Sequence, residues 1–300
     1  MTQAADVPSP TVSDGRPLTA GVAMLAIAVA VTSLLVGGLL AAVSLTGHVF
    51  GAWPSPESVN PGLVGAAMLG TAPALFAVGR ARHWEEARTL LHPTAVVLVG
   101  LFTVTLLNAG GLYLAEGGPV LSVLFSLGWI FVLGLLCVWA VIALALQHRV
   151  PAQHRVPAPA RQRRGASVAP LPGWSKPPLA VLGSAWLGIG TGLLIRPGFW
   201  ADFIPWHTNR LDAQALGVWA LALGVGVLGS LAEDDLTRTR PALLALPGTA
   251  AAMTVVLAAR AAHIEWGSGP AIGLVCMVAG LLCAGVSGHV LLRGSAAPRD

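Results

Sequence analysis

Residues 119–147 read PVLSVLFSLGWIFVLGLLCVWAVIALALQ, and this stretch holds no acidic or basic side chain. A helix needs roughly 20 apolar residues to cross about 30 Å of hydrocarbon, so the stretch is long enough to span a membrane. Backbone N–H and C=O groups find no water inside a bilayer, and a helix satisfies them internally. The stretch therefore predicts a transmembrane helix.

Seven further apolar runs lie along the chain. We place the eight predicted spans at residues 18–46, 62–80, 93–115, 119–147, 178–195, 212–232, 242–262 and 270–292. Such long, continuous runs differ from the short alternating strands of a membrane barrel. Each of these runs is long enough to cross the bilayer. The sequence therefore predicts an all-α polytopic membrane bundle of about eight helices.

The composition of the whole chain supports the same class. Charged residues make up 10 % of the 300 residues and hydrophobic residues 55 %. A soluble domain carries about 25 % charged residues. These values exclude an ordinary soluble domain, and they exclude a disordered chain, because disorder needs low hydrophobicity and high charge. The strong bias toward Arg, Ala and Gly is typical of a GC-rich bacterial genome.

The 17 basic residues are spread unevenly over the predicted loops. If the N-terminus lies inside the cell, only Arg196, Arg210 and Arg260 fall outside. Positive residues accumulate in cytoplasmic loops, so we expect a multi-pass protein of the bacterial cytoplasmic membrane with both termini in the cytoplasm. The net charge of +4 then favours the anionic membrane surface as a partner, and not nucleic acid.

The chain divides into two halves of four predicted spans each. The expected order is a cytoplasmic tail (1–17), transmembrane repeat 1 (18–147), a flexible basic cytoplasmic linker (148–177), transmembrane repeat 2 (178–292) and a second tail (293–300). The linker contains QHRVPA twice in succession, and a segment rich in Pro and Arg does not bury a core.

Several motifs recur in the same order in both halves. EGGP at 116–119 corresponds to EWGSGP at 265–270, and the acidic pair Glu85-Glu86 corresponds to Asp234-Asp235. Four spans per half give both halves the same orientation in the membrane. We therefore expect an internal duplication, with two parallel four-helix repeats related by a pseudo-twofold axis along the membrane normal.

Polar and aromatic side chains inside the spans are candidate solute contacts. Asn108 is the deepest strongly polar side chain, and an unsatisfied amide in hydrocarbon is costly. Indole N–H groups inside spans need partners as well. We place a candidate cavity between the halves, near Asn108, Trp129, Trp186 and Trp219. The alternative for each residue is ordinary packing or an interhelical hydrogen bond.

A second candidate set lies at the outer ends of the spans and comprises His48, Glu116, His263 and Glu265. Histidine and carboxylate groups bind zinc, but their spacing matches no ligand motif. The sequence also lacks a nucleophile elbow, a phosphate-binding loop and an HExxH motif. We therefore expect no metal, no cofactor and no catalytic residue, and an intramembrane enzyme would require these four groups to converge.

The remaining tryptophans fall at predicted span ends. Aromatic side chains there form a belt at the level of the lipid headgroups. We expect this position for Trp53, Trp84, Trp174, Trp200, Trp206 and Trp266.

Two stretches carry a resemblance. PWHTNRL at 205–211 and AQALGVWALALG at 213–224 resemble a segment of uncharacterised multi-span actinobacterial membrane proteins, in which a PW-rich outer loop leads into a span with an LGxW-like start. The resemblance covers only these stretches. It implies a class of membrane protein and no activity.

No Asp, Glu, Lys or Arg lies near the middle of any predicted span. Ion-coupled pumps place ionisable groups there, so this absence argues against a proton- or sodium-driven mechanism. The leading hypothesis is transport or handling of an uncharged or amphipathic, lipid-like solute. The alternative is a non-catalytic membrane scaffold or assembly subunit. Membrane lipids are the expected partners, and a protein partner or self-association is left open.

Overall fold

The computed structural model describes residues 15–151 and 170–295. Within these ranges the chain forms eight long apolar helices, which confirms the predicted all-α polytopic bundle. They are α1 (Ala20–Leu45), α2 (Val59–Val78), α3 (Trp84–Leu107), α4 (Val120–Arg149), α5 (Lys176–Ile195), α6 (Arg210–Glu233), α7 (Arg240–Ala259) and α8 (Gly269–Ser295). By length and composition, all eight are suited to cross a membrane, which identifies an integral membrane protein.

The third helix starts and ends earlier than the sequence suggests. It runs from Trp84 to Leu107 and not over 93–115, because Pro93 lies inside the helix rather than at its start. Neighbouring helices and side chains can satisfy the backbone group that a proline frees inside a membrane. Glu85 and Glu86 lower the hydropathy of the first turn, so the apolar run alone did not reveal it.

The segment between the halves is partly helical at both ends. α4 continues to Arg149, and a short turn at Gly173–Ser175 leads into α5. Residues 152–169, which carry the second copy of the repeated hexapeptide, lie outside the described residues. The predicted flexibility of the linker therefore stays a prediction.

The helices pair in the same pattern in each half. α1 packs along α2 and α5 along α6, while α3 packs on α4 and α7 on α8. Across the halves, α2 packs against α7, and α6 packs against α3. The helices α2, α3, α6 and α7 therefore form the centre of the bundle, and the other four surround it.

Glycine pairs lie at close contacts between the first two helices of each half. A Cβ atom on Gly65 of α2 would lie 2.6 Å from the carbonyl oxygen of Gly37 on α1. A Cβ atom on Gly217 of α6 would lie 3.1 Å from the carbonyl oxygen of Gly190 on α5. Helices in membranes associate closely where small residues meet, and both halves use such a pair at the same seam.

The loops gather at two ends of the bundle. We call one end the tryptophan face; it carries the loops 46–58, 108–119, 196–209 and 260–268. The opposite end, the linker face, carries the loops 79–83 and 234–239 together with residues 150–151 and 170–175. The loops of the tryptophan face contact each other directly, since the N–H of Tyr113 donates to the carbonyl of Ala52 at 3.1 Å.

Candidate functional site

A cavity of about 800 Å³ lies between α1, α2, α3, α4, α6 and α7. Its lining is almost entirely aliphatic and aromatic, and it includes no charged side chain. Pockets that hold small ligands in proteins measure about 300–1,000 Å³. The cavity is thus large enough for a ligand, and its walls suit an apolar one.

The cavity is elongated along the helices. One end lies near Phe50 and Leu121 toward the tryptophan face, and the other lies near Thr89, Ser230 and Ala242 toward the linker face. The lining residues of α3 alone extend over about 18 Å at a rise of 1.5 Å per residue. This shape fits a hydrocarbon chain better than a compact solute.

The cavity reaches the surface of the bundle between α1 and α4. These two helices pack together along Ala20–Thr32, the part of α1 nearest the linker face. Farther along, the lining residues Leu39, Leu124 and Gly128 are exposed on the surface of the bundle. Phe50 and Phe125, with ring centroids 4.8 Å apart, cover the end near the tryptophan face. In a bilayer, an opening at this position faces the acyl chains.

Helix α1 is irregular where it borders the cavity. Residues Ser33–Gly37 form one π-helical turn, and Ser33 and Val36 line the cavity. A π-helical turn inside an α-helix is uncommon and is found frequently at functional sites. The turn directs Ser33 toward the cavity while Gly37 packs against α2.

Three of the six hydroxyl groups along the cavity, those of Thr71, Thr94 and Ser230, bond to their own helices. Thr94 Oγ1 donates to the carbonyl of Leu90 at 2.7 Å, and Ser230 Oγ donates to the carbonyl of Gly226 at 2.8 Å. This bond to the preceding turn is the usual way in which a helix satisfies Ser and Thr in an apolar setting. These two hydroxyls therefore have no free hydrogen for a ligand.

Thr89 is different. It is 4 % exposed, and its Oγ1 has no hydrogen-bond partner among the described residues. Pro93 follows one turn later on the same helix face, and it also lines the cavity. Because proline has no N–H, it cannot make the helical hydrogen bond to the carbonyl of Thr89. Thr89, a residue at the inner end of the cavity, therefore combines an unused donor with an acceptor that lacks its usual helical partner.

Two of the four predicted cavity residues line the cavity. Trp129 donates its indole N–H to Thr105 Oγ1 at 3.2 Å, whereas Trp219 Nε1 is buried without a partner. Trp186 is also buried, but it lies outside the cavity lining. Asn108 lies at the end of α3 away from the cavity and donates to Gln214 Oε1 at 2.9 Å.

The outer polar set is not brought together into one site. His48 Nδ1 lies 3.0 Å from Thr46 Oγ1, and His263 Nδ1 lies 3.0 Å from Glu57 Oε2. In residues 15–151 and 170–295, no three or more His, Cys, Asp or Glu side chains are grouped so that they could hold a metal ion. Glu116 and Glu265 thus form no such group with the two histidines. The enzyme hypothesis gains no metal centre from this part of the chain.

A buried hydrogen-bond cluster on the tryptophan face joins the two halves. Trp53 Nε1 donates to Asp212 Oδ1 at 2.7 Å, and Trp206 Nε1 donates to Asn60 Oδ1 at 2.7 Å. Asn60 and Asp212 are themselves joined, since Asn60 Nδ2 donates to Asp212 Oδ2 at 3.2 Å. Each tryptophan precedes the second helix of its own half and bonds to the second helix of the other half. We call these four residues the crossing cluster.

Ser55 and Thr208 complete the bonds around the crossing cluster. Ser55 Oγ donates to Asp212 Oδ1 at 2.7 Å, and Thr208 Oγ1 donates to Asn60 Oδ1 at 3.1 Å. The side chain of Asp212 therefore accepts three hydrogen bonds. All three donors are protein groups, so the cluster holds the bundle together and offers little to a ligand.

Three of the tryptophans at span ends do not face outward. Trp53, Trp84 and Trp206 are buried within the protein, whereas Trp174 and Trp266 are exposed. Hydropathy does not separate a tryptophan at a span end from one folded back onto another helix. The available signal was the recurring pattern Trp-x-Ser at 53–55 and Trp-x-Thr at 206–208, each followed by a polar residue in the first turn of a helix.

Acidic residues at the linker face accept hydrogen bonds from a lysine side chain and from backbone N–H groups. Asp234 Oδ2 accepts from Lys176 Nζ at 2.6 Å, and its Oδ1 accepts from the N–H of Leu171 at 3.1 Å. The hydrogen bond from Lys176, followed by that from Leu171, holds the pKa of Asp234 below its usual value. Glu85 accepts in a similar way from the N–H of Arg16, at 3.2 and 3.1 Å. Both halves thus tie the segment before their first helix to an acidic residue that follows their second helix, in the first turn of α3 (Glu85) and in the loop after α6 (Asp234).

No family model matches this chain, and neither a curated protein nor a solved structure matches it. The cavity is therefore the basis on which a function is proposed.

Proposed function

We propose that this membrane protein transports or handles an uncharged or amphipathic, lipid-like solute, which it binds in the cavity beside α1 and α4. The observation that carries the proposal is the elongated apolar cavity of about 800 Å³ that opens sideways between these helices. A charged group inside it would lose water without gaining a partner, because no charged side chain lines the walls. A hydrocarbon chain meets no such penalty.

The position of the opening favours access from the bilayer. The paired rings of Phe50 and Phe125 cover the cavity toward the tryptophan face. The exposed lining residues Leu39, Leu124 and Gly128 border the side opening instead. A chain already in the membrane would pass from neighbouring lipids into the protein without crossing water.

We further propose that the linker face is cytoplasmic and that the protein lies in a bacterial cytoplasmic membrane. Arg196, Arg210 and Arg260 are the basic residues nearest the tryptophan face, while the remaining Arg and Lys residues belong to segments on the linker side. This asymmetry is the one that the positive-inside rule describes.

The helix pairing supports the proposal of two parallel repeats. When α1 to α4 are matched in order with α5 to α8, every major helix pair of one half has its counterpart in the other. The backbone bond from Tyr113 to Ala52 has a counterpart from Glu265 to Pro205 at 2.9 Å. Asn60 and Asp212, which are 152 residues apart, occupy matching positions in α2 and α6. The pseudo-twofold axis would pass between these two side chains.

A plugged cavity tests the proposed function. Gly128 lines the opening, and a Cβ atom placed on it meets nothing within 4 Å, so Gly128→Trp should fill the opening without disturbing the fold. Gly188 on α5 is equally exposed and unobstructed but lies outside the lining, and Gly188→Trp is the matched control. The readout is native mass spectrometry after gentle extraction with the native lipids.

We expect a stoichiometric bound lipid on the wild-type protein and on Gly188→Trp, and its loss from Gly128→Trp. Equal lipid occupancy in all three proteins would contradict the proposal. A second polypeptide in place of a lipid would favour the alternative, a membrane scaffold or assembly subunit.

The scaffold alternative draws on the basic segment RQRR at 161–164, a potential docking site for a protein partner. Deleting 152–169 should remove a captured partner if the protein is a scaffold. The same deletion should leave the occupancy of a cavity lipid unchanged.

A further inference from the structure

We infer that the bound solute carries an uncharged hydroxyl or carbonyl oxygen and that it lies in the cavity with this polar group against Thr89. Its hydrocarbon chain would then run along the cavity toward the opening between α1 and α4. The inference rests on the proposed function, since it names the chemistry of the ligand in the same cavity.

The first step is the position of Thr89 at the inner end of an apolar cavity. Leaving a buried hydroxyl without a hydrogen bond costs about 1–3 kcal/mol. Thr94 and Ser230 avoid this cost by bonding to their own helices, and Thr89 Oγ1 has no such bond. A ligand oxygen at the inner end would provide the acceptor that the described residues do not.

The second step is Pro93. Residues four apart lie on the same face of a helix, so Thr89 and Pro93 present one surface to the cavity. The missing N–H of Pro93 deprives the carbonyl of Thr89 of its usual helical donor. A hydroxyl group can both accept from Thr89 Oγ1 and donate to the Thr89 carbonyl, so it matches this surface better than any group that only donates.

The third step is charge. Arg88 precedes Thr89 in the sequence, but it forms an ion pair with Glu233 and is absent from the cavity lining. A carboxylate or phosphate at the inner end would therefore lack a cation among the lining residues. These facts favour a neutral lipid, such as an acylglycerol or a long-chain alcohol, over a fatty acid or a phospholipid headgroup.

Trp219 offers a rival position for the polar group. Its indole N–H is buried without a partner and donates only. Gly100 of α3 packs against Val218, which places Trp219 near the level of residue 100. That level is about 16 Å from Thr89 along α3 at 1.5 Å per residue. One small polar group cannot reach both positions, so variants at the two sites distinguish them.

The test measures binding to the full-length protein by native mass spectrometry, with three probes added in turn. The probes are monooleoylglycerol, oleic acid and 1-octadecene, which differ in the polar end and share a long chain. Thr89→Val removes the hydroxyl at nearly constant volume, whereas Thr89→Ser keeps a hydroxyl at this position. Thr249→Val is the matched control, because Thr249 Oγ1 is also buried without a partner, on α7 and outside the cavity lining.

We expect Thr89→Val to weaken monooleoylglycerol binding about 2- to 10-fold, which corresponds to the net contribution of one hydrogen bond. Thr89→Ser and Thr249→Val should bind monooleoylglycerol as the wild type does, and 1-octadecene binding should not change in any variant of Thr89 or Thr249. Unchanged monooleoylglycerol binding in Thr89→Val would overturn the inference, as would an equal loss in Thr249→Val. A loss confined to Trp219→Phe, or tighter binding of oleic acid than of monooleoylglycerol, would also overturn it.

Gly128→Trp separates this inference from the proposed function. If Gly128→Trp abolishes the binding of both uncharged probes while Thr89→Val has no effect, the cavity function stands and the polar contact is wrong. If Gly128→Trp leaves the binding of both probes intact, the proposed function itself is wrong.

Discussion

At the scale of single residues, Asp212 is central to the junction between the halves. Its carboxylate is 2 % exposed and accepts hydrogen bonds from Trp53, Ser55 and Asn60. Its backbone N–H is bonded by Asn209 Oδ1 at 2.8 Å, which caps the start of α6. A buried carboxylate is tolerated only with such compensation, because an unpaired charge away from water is costly.

Replacing this carboxylate should destabilise the protein. Asp212→Ala removes the acceptor of three hydrogen bonds, so we expect the free energy of unfolding to fall by about 2–5 kcal/mol. Asp212→Asn keeps one acceptor oxygen and should cost less. The measurement is a denaturation titration in mild detergent, followed by tryptophan fluorescence. Asp202→Ala, at an exposed position in the loop before α6, is the control, and an equal loss in that variant would contradict the assigned role.

The sequence identified residues unevenly at this scale. Trp129 and Trp219, which the sequence singled out as candidate solute contacts together with Asn108 and Trp186, both line the cavity. Thr89 was missed because threonine in a helix ordinarily bonds to its own backbone. The spacing of four between Thr89 and Pro93 was visible in the sequence, but its meaning depends on the cavity beside it.

At the scale of elements, α1 both lines the cavity and packs closely against α2. Its π-helical turn directs Ser33 into the cavity and places Gly37 against α2. A Cβ atom on Gly37 would lie 2.6 Å from Met68 Cβ and 2.8 Å from the carbonyl oxygen of Gly65. Both distances are too short for ordinary van der Waals contact, so only glycine fits this seam.

The neighbouring glycine makes a matched comparison within the same helix. Gly37→Ala should destabilise the protein by about 1–3 kcal/mol, since α1 must move away from α2. At Gly38 a Cβ atom meets nothing within 4 Å, so Gly38→Ala should be neutral or stabilise the helix by up to about 1 kcal/mol. Thermal unfolding in the same detergent measures both. The seam assignment would be wrong if the two substitutions had the same effect.

The helices themselves were largely predictable. Continuous apolar runs gave eight spans because hydrocarbon length and backbone hydrogen bonding permit few alternatives. The start of α3 was not predictable from hydropathy, because Glu85 and Glu86 occupy its first turn and Pro93 resembles a helix start. Charges at a membrane surface can belong to a helix that continues into the membrane.

At the scale of the whole molecule, the two halves are joined through more than the connecting segment. The central helices pack across the halves, and the crossing cluster adds buried hydrogen bonds at the tryptophan face. The chain should therefore stay assembled when the segment 152–169 is cut.

A protease site inserted within 152–169 tests this expectation. After cleavage of the purified protein, we expect both fragments to elute together in gel filtration in mild detergent. The double variant Asn60→Ala and Asp212→Ala should separate more readily after cleavage, because it lacks the polar bonds between the halves. Immediate separation of the cleaved wild-type fragments would show that the connecting segment, and not the packing, holds the halves together.

The sequence by itself determined the class of this protein: long apolar runs and few charges permit only a helical membrane bundle. Tertiary structure decided which polar groups meet. Asn60 and Asp212 are 152 residues apart and become neighbours only when α2 and α6 cross at the centre of the bundle. The cavity likewise depends on the separation of α1 from α4, which follows from how six helices pack. Hydropathy is a property of each segment alone, whereas a cavity and a buried hydrogen bond depend on several segments at once.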